Sequence, residues 1–109
     1  MLNQVVLVGR VVRKPELSTY SKGKYSKITL AVPRSYKNIE GNYETDFIDC
    51  TLWQGVAENT CEYCNKGDIV GVRGRIQNST YEKDNEKKYV TEVIAEKVTF
   101  LSSKKEADV

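Results

Sequence analysis

Histidine is absent from this chain, and tryptophan, phenylalanine and proline are scarce: one, two and two in 109 residues. The missing histidine removes the commonest general base. Ser-His-Asp and Cys-His nucleophile pairs go with it, as do imidazole metal ligands. Cysteine is sparse too, at three, an odd number that argues against a disulfide framework where no secretion signal precedes it. Cys61-Glu62-Tyr63-Cys64 has CxxC spacing. A zinc site needs further thiolates or imidazoles, so this pair reads as two small residues on the inner side of a helix. Cys50 reads as core. No apolar run approaches the roughly 20 residues that cross a bilayer. Met1-Leu2-Asn3-Gln4 lacks the basic-then-apolar layout of a signal peptide. A cytosolic protein with no membrane partner is expected.

What remains is 39% hydrophobic and 29% charged, with a net charge of +2. That composition suits one small soluble domain with one core. The net charge is too small to identify a partner, but its distribution is uneven. Residues 1–37 hold eight lysines and arginines against one acid, and residues 38–68 hold one lysine against seven acids. Residues 69–109 are balanced, eight bases to seven acids. The basic first third is suited to attracting phosphates.

Hydrophobic periodicity then sets out the elements. Val5 to Val12 is β-branched and reads as a strand buried on both faces in places, with Gly9 bending it. Ser21-Lys22-Gly23-Lys24 is a turn by composition. Tyr25 to Val32 alternates, with Ile28, Leu30 and Val32 inward. Pro33 ends the pairing or sits at an edge, and residues 34–45 read as a polar loop. A strand follows at 46–53. Residues 56–66 switch to helical spacing, with Val56, Thr60 and Tyr63 beside Ala57, Cys61 and Cys64 as the inner stripe and Gly67 as a left-handed stop. Ile69 to Tyr81 is a long strand with Val70, Val72, Gly74 and Ile76 inward. Residues 82–87 are a charged hairpin loop, and 88–101 form a last strand bent near Ala95. Residues 102–109 read as a frayed tail beyond a domain of residues 1–101. Three strands, a helix and two strands, with the first strand bent at glycine, predict an all-β fold. The order fits a five-stranded Greek-key OB barrel with one short helix between the third and fourth strands, with an open sandwich as the structural alternative.

The strand Asp46-Phe47-Ile48-Asp49-Cys50-Thr51-Leu52-Trp53 carries the functional signal. Ile48, Cys50 and Leu52 make an apolar face; Phe47, Asp49, Thr51 and Trp53 make the other. A polar face with two large rings is suited to something flat, and nucleobases are flat. Tyr81 shares a polar face with Arg73 and Arg75 on the next long strand, and Tyr36 and Arg34 stand in the loop before the aromatic strand. Rings stack on bases whatever their identity, and arginine pairs with phosphate. Duplex DNA hides its base faces, so single strands are the expected ligand.

These residues resemble a family. Asn3-Gln4-Val5-Val6-Leu7-Val8-Gly9-Arg10 and Pro15-Glu16-Leu17 are similar to the opening of bacterial single-stranded DNA-binding proteins. The likeness continues in order through residues 28–32 and 46–53, Ala57-Glu58-Asn59, Lys66-Gly67, Gly74-Arg75 and residues 89–93, covering residues 1–101. It implies an OB barrel, usually a homotetramer wrapped by single-stranded DNA, with Tyr36, Phe47, Trp53 and Tyr81 at the base-stacking positions. Arg10, Arg34, Arg73 and Arg75 complete the expected contacts. The family often carries basic residues where this chain has Gln54-Gly55, Gln77 and Ser79. Replicative members carry a linker and an acidic tip that recruits enzymes. This chain reads Lys104-Lys105 and ends Asp108-Val109: either the sequence is cut short of its natural end, or it is a tail-less form, most like the short paralogue of Gram-positive bacteria, associated with DNA uptake. A plasmid or phage member of the family is the alternative. Enzyme partners recruited through such a tip are therefore not expected.

The resemblance implies a non-enzymatic, sequence-tolerant binder that protects single-stranded DNA in replication, recombination, repair or uptake, with no cofactor and no metal. The alternative is an OB-fold interaction subunit of a replication or primosome assembly. A metal-dependent nuclease would need clustered carboxylates, and Asp46 and Asp49 face opposite sides of their strand.

Overall fold

The structure, a computed structural model, describes residues 1–102. In chain order the elements are β1 (Val5–Val11), β2 (Ser18–Tyr20), β3 (Gly23–Lys37), β4 (Tyr43–Trp53), α1 (Gln54–Tyr63), β5 (Ile69–Lys83) and β6 (Glu86–Ser102). Of the expected tail, Ser102 is the last residue of β6, and residues 103–109 lie outside the described ones.

Five strands close a ring. β1 pairs antiparallel with β5, β5 with β6, β4 with β3 and β3 with β1, while β4 and β6 run parallel. This is the expected OB arrangement, with α1 between the third and fourth strands of the ring. The sixth strand, β2, lies outside the ring as a three-residue edge on β3. Its turn falls at the expected place, where Gly23 adopts φ +121°.

Two seams of the ring are short. β1 meets β3 through Arg10↔Ala31 and Val11↔Leu30. β4 meets β6 through Cys50↔Val93 and Thr51↔Ile94. Inside the ring, Val11, Ile28, Leu30, Cys50, Leu52 and Val72 are almost wholly buried. β1 alternates rather than burying both faces: Gly9 and Val11 point in, while Val6 and Val8 stand 68% and 53% exposed. Helix α1 packs mainly on β3 and buries Ala57 and Thr60. Its last carbonyls are met by Lys14, whose Nζ donates to the oxygens of Cys61 and Cys64 at 3.1 Å each. A cation there suits the negative end of the helix. Tyr63, expected on the inner stripe, is exposed and edge-on to Phe100.

Three boundaries differ from the periodicity. Residues 34–45 are largely strand, because β3 and β4 continue as a ribbon beyond the ring to a turn closed by Gly41 N–H donating to the Asn38 carbonyl. Pro33 lies where the ladder slips, between Pro33↔Thr45 and Lys37↔Tyr43, a place where a missing N–H costs little. The helix ends at Tyr63, and Gly67 takes its left-handed φ of +94° in the turn into β5. Ile76, although on the inner side of β5, is exposed, since β5 and β6 there leave the ring as a second ribbon.

The expected bend near Ala95 is a bulge. Arg73 opposes Lys97 and Gly74 opposes Ala95, so Glu96 is the extra residue. Gly74 permits it: a Cβ there would collide with the backbone carbonyl of Ile94. Gly74→Ala is expected to cost about 1–3 kcal/mol by overpacking. Urea unfolding measures it, and an unchanged midpoint would show that the bulge does not need glycine.

Candidate nucleic-acid interface

Directly opposed residues in a sheet share a face, so the registers assemble one outer surface across four strands. β4 contributes Phe47, Asp49, Thr51 and Trp53, and β3 sets Ala31, Thr29, Lys27 and Tyr25 opposite them in that order. β6 joins through Thr51↔Ile94. β5 joins through Arg75↔Ile94, Gln77↔Glu92, Ser79↔Val90 and Tyr81↔Lys88. Phe47, Trp53 and Tyr81 therefore belong to a single face. Phe47 is 66% exposed because its neighbour Ala31 is too small to cover it, and Tyr81 is 52% exposed.

Trp53 is half-buried against Tyr25, whose ring centroid lies 4.9 Å away, and Tyr25 in turn lies 5.6 Å from Tyr20. This row of rings was missed in the sequence. Alternation along β3 already turned Tyr25 outward; the hairpin register that sets it opposite Trp53 was the missing information. Gln54 holds the row in place. At φ +53° its side chain accepts from Lys24 N–H at 3.4 Å and donates to the Lys22 carbonyl at 3.1 Å. Gln54 thus pins the β2–β3 turn to the end of β4.

The remaining expected residues divide. Arg10 sits opposite Ala31, which sits opposite Phe47, so the three lie in one row across the face. Its Nη1 donates to the Gly67 carbonyl at 2.7 Å. Arg75 is on the face beside Gln77, to which its Nη1 donates at 2.6 Å. Arg73 lies beyond the bulge, between Val6 of β1 and Lys97 of β6, away from the rings. Tyr36 is 65% exposed on the β3–β4 ribbon, in the segment where pairing lapses. Arg34 grips the ribbon's own acids: Nε and Nη2 fork onto Asp46 at 3.1 and 2.9 Å, and Nη1 donates to Glu44 at 2.5 Å. Those bonds raise the Arg34 pKa further and hold the Asp46 carboxyl below its ordinary value. Asp46 opposes Val32, so this cluster lies on the side of the ribbon away from Phe47.

Sequence reasoning also missed two cations. Arg13 Nη2 donates to Thr29 Oγ1 at 3.2 Å, and that hydroxyl donates to Asp49 at 2.6 Å. Lys27 stands exposed opposite Thr51. With Arg10 they make a basic margin along the β1–β3 side of the rings. In the middle, Glu92 accepts from Thr51 Oγ1 at 2.8 Å and Ser79 Oγ at 2.7 Å. These bonds, chiefly the one from Ser79, keep its carboxyl below the ordinary value. Among the described residues no group of three cysteine or acid side chains could hold a metal ion.

Rings in water beside a cationic margin on a closed barrel have the chemistry that stacking against an extended, charged, aromatic polymer requires. The model of the single-strand binding protein family matches residues 2–101. The chain belongs to that family. It is 50% identical over 106 residues to single-stranded DNA-binding protein B of Bacillus subtilis (strain 168), covering 95% of this chain and 94% of that one. It is 47% identical over 106 residues to single-stranded DNA-binding protein 3 of Listeria innocua, covering 95% of this chain and 66% of that longer protein. The fold matches a solved structure described as the Plasmodium falciparum SSB complex with ssDNA. The TM-score is 0.79 at 24% identity, covering 94% of this chain and 96% of the other. At that identity the likeness is one of fold.

Glu92 titrates at a lower pH folded than unfolded. Its contribution is therefore complete above the ordinary value of 4.5 and lost as pH falls through the lowered one. Glu92→Gln is expected to be less stable than the parent at about pH 7, with the gap narrowing towards about pH 3. Urea midpoints at both pH values test this, and a gap that stays constant would assign the acid sensitivity elsewhere.

Proposed function

We propose that this chain binds single-stranded DNA without cleaving it, tolerating most sequences, and shields strands exposed in replication, recombination, repair or uptake. The observation that carries this reading is the exposed ring face: Phe47 and Trp53 on β4 and Tyr81 on β5, with β6 between them, bordered by Arg10, Arg13 and Lys27. Grouped on one outer face, these rings offer bases a matching set of flat surfaces. The names of its relatives support the same ligand. Tyr36 extends the stacking surface along the ribbon, and Arg34 and Arg73 take more distant phosphates. A cytoplasmic setting suits three free cysteines, two of them buried.

We further propose that it works as a homotetramer. β1 pairs with β5 along Val5–Arg10, but with β3 only at Arg10 and Val11. Its other edge is open for most of its length and carries exposed Val6 and Val8. An open apolar edge of this kind is a template for another strand. Sedimentation should give a multiple of the 12.4 kDa chain, and Val6→Glu with Val8→Glu should shift it to smaller species. Monomer in both would end the tetramer proposal.

The function itself is tested with the lone tryptophan. Oligo-dT should quench Trp53 fluorescence, duplex DNA of equal length should not, and added salt should reverse the quenching. Trp53→Ala should weaken binding by roughly 1–3 kcal/mol, a magnitude already established on single-strand-binding OB proteins. If neither quenching nor binding by anisotropy appears, the ring face serves a protein partner and the interaction-subunit reading replaces this one.

A further inference from the structure

Carboxylates are unusual on a surface built for a polyanion, yet Glu92 stands in the middle of this one. It sits between the strand that carries Phe47 and Trp53 and the strand that carries Tyr81. It forms no ion pair among the described residues. Two hydroxyls aim it: Thr51, which is buried, holds one oxygen from below, and Ser79 on β5 holds the other. Each oxygen has two lone pairs and each receives one of these bonds, so each retains acceptor capacity. The carboxylate is partly exposed on the ring face, within reach of a base lying there.

We infer that Glu92 is a base-reading residue: it accepts a hydrogen bond from the exocyclic amino group of a cytosine stacked on the ring face. This rests on the single-strand-binding function proposed above. An ionised carboxylate only accepts, so it repels phosphates and seeks N–H groups. Cytosine offers its N4 amino group at an accessible edge, where thymine places a carbonyl oxygen. Thymine's one N–H lies between two carbonyls and reaches a carboxylate only by bringing those oxygens close to it. The same charge keeps the phosphate chain out of the centre and towards the margin of Arg10, Arg13 and Lys27. Stacking remains indifferent to base identity, and Glu92 adds a preference at one position within it.

The experiment compares labelled oligo-dC and oligo-dT of equal length by anisotropy, at one salt concentration, with the full chain and two variants. Glu92→Gln keeps the shape and can still bond both hydroxyls but loses the acceptor-only charge. Thr51→Val keeps the charge and releases it from one anchor. The ratio of the dT to the dC dissociation constant is expected to fall about fivefold in Glu92→Gln, the size of one good hydrogen bond to a base. It should fall in the same direction in Thr51→Val. An unchanged ratio in a folded Glu92→Gln overturns the inference. So does equal tightening on both oligonucleotides, which is simple charge repulsion. If Glu92→Gln does not fold, an unchanged ratio in Thr51→Val overturns it. A wild-type chain that binds neither oligonucleotide overturns the single-strand-binding function first, and this inference with it.

Discussion

Closure of the ring hangs on two parallel pairs. Four seams of the barrel are antiparallel, and three of them share many register positions or a tight turn. The β4–β6 seam has only Cys50↔Val93 and Thr51↔Ile94. Parallel pairing is slightly weaker per residue, so two pairs alone make a poor seam. The side chains reinforce it from both sides. Cys50 is fully buried inside, and outside Thr51 and Ser79 both donate to Glu92, tying β4, β6 and β5 together through one carboxylate. The bulge at Glu96, opposite Gly74, lies next to that seam in the sequence of β6. Without closure there is no common outer face, because the rings on β4 and the ring on β5 reach each other only across β6.

This arrangement explains why the functional surface is polar and aromatic together. Residues facing into so small a ring must be apolar and well packed, which claims Ile28, Leu30, Cys50 and Leu52. The alternate positions on the same strands are then free of the core. Phe47 stays in water because Ala31 opposes it, while Trp53 is steadied by Tyr25. The cations of the margin are likewise held at one end: Arg10 by the Gly67 carbonyl and Arg13 by the Thr29 hydroxyl. Partial anchoring lowers the entropy lost when such a side chain meets a ligand.

Alternation along residues 46–53 made the two faces of β4 legible from the sequence, and the order of elements with Gly9 made the barrel legible. Phe47, Trp53 and Tyr81 could be grouped by parity alone. What could not be read was register. Tyr25 joins Trp53 only once Ile28 is known to oppose Cys50, and Arg13 reaches the face only because Thr29 opposes Asp49. The extension of the strands through residues 34–45 was hidden by their polarity, since a ribbon that leaves the ring has no core to face and needs no apolar side. Ile76 misled in the opposite sense, its parity being inward where no interior remains. Arg34 shows a third limit, because a cation twelve residues before Asp46 pairs with the aromatic strand's own acids when the hairpin brings Glu44 and Asp46 beside it.

The spacing of charge among the rings has a consequence for the protein when it is empty. Asp49 lies between Phe47 and Trp53, and Glu92 lies between their strand and Tyr81, so no two of these rings share an unbroken apolar area. Contiguous exposed apolar patches are what make soluble proteins stick to one another. Here the aromatic surface is divided into islands, namely Phe47, the Trp53–Tyr25–Tyr20 row and Tyr81, with carboxylates between them. A ring face divided in this way offers little contiguous apolar area to another copy, and a ligand that brings its own row of separate flat rings is the one that can cover every island at once.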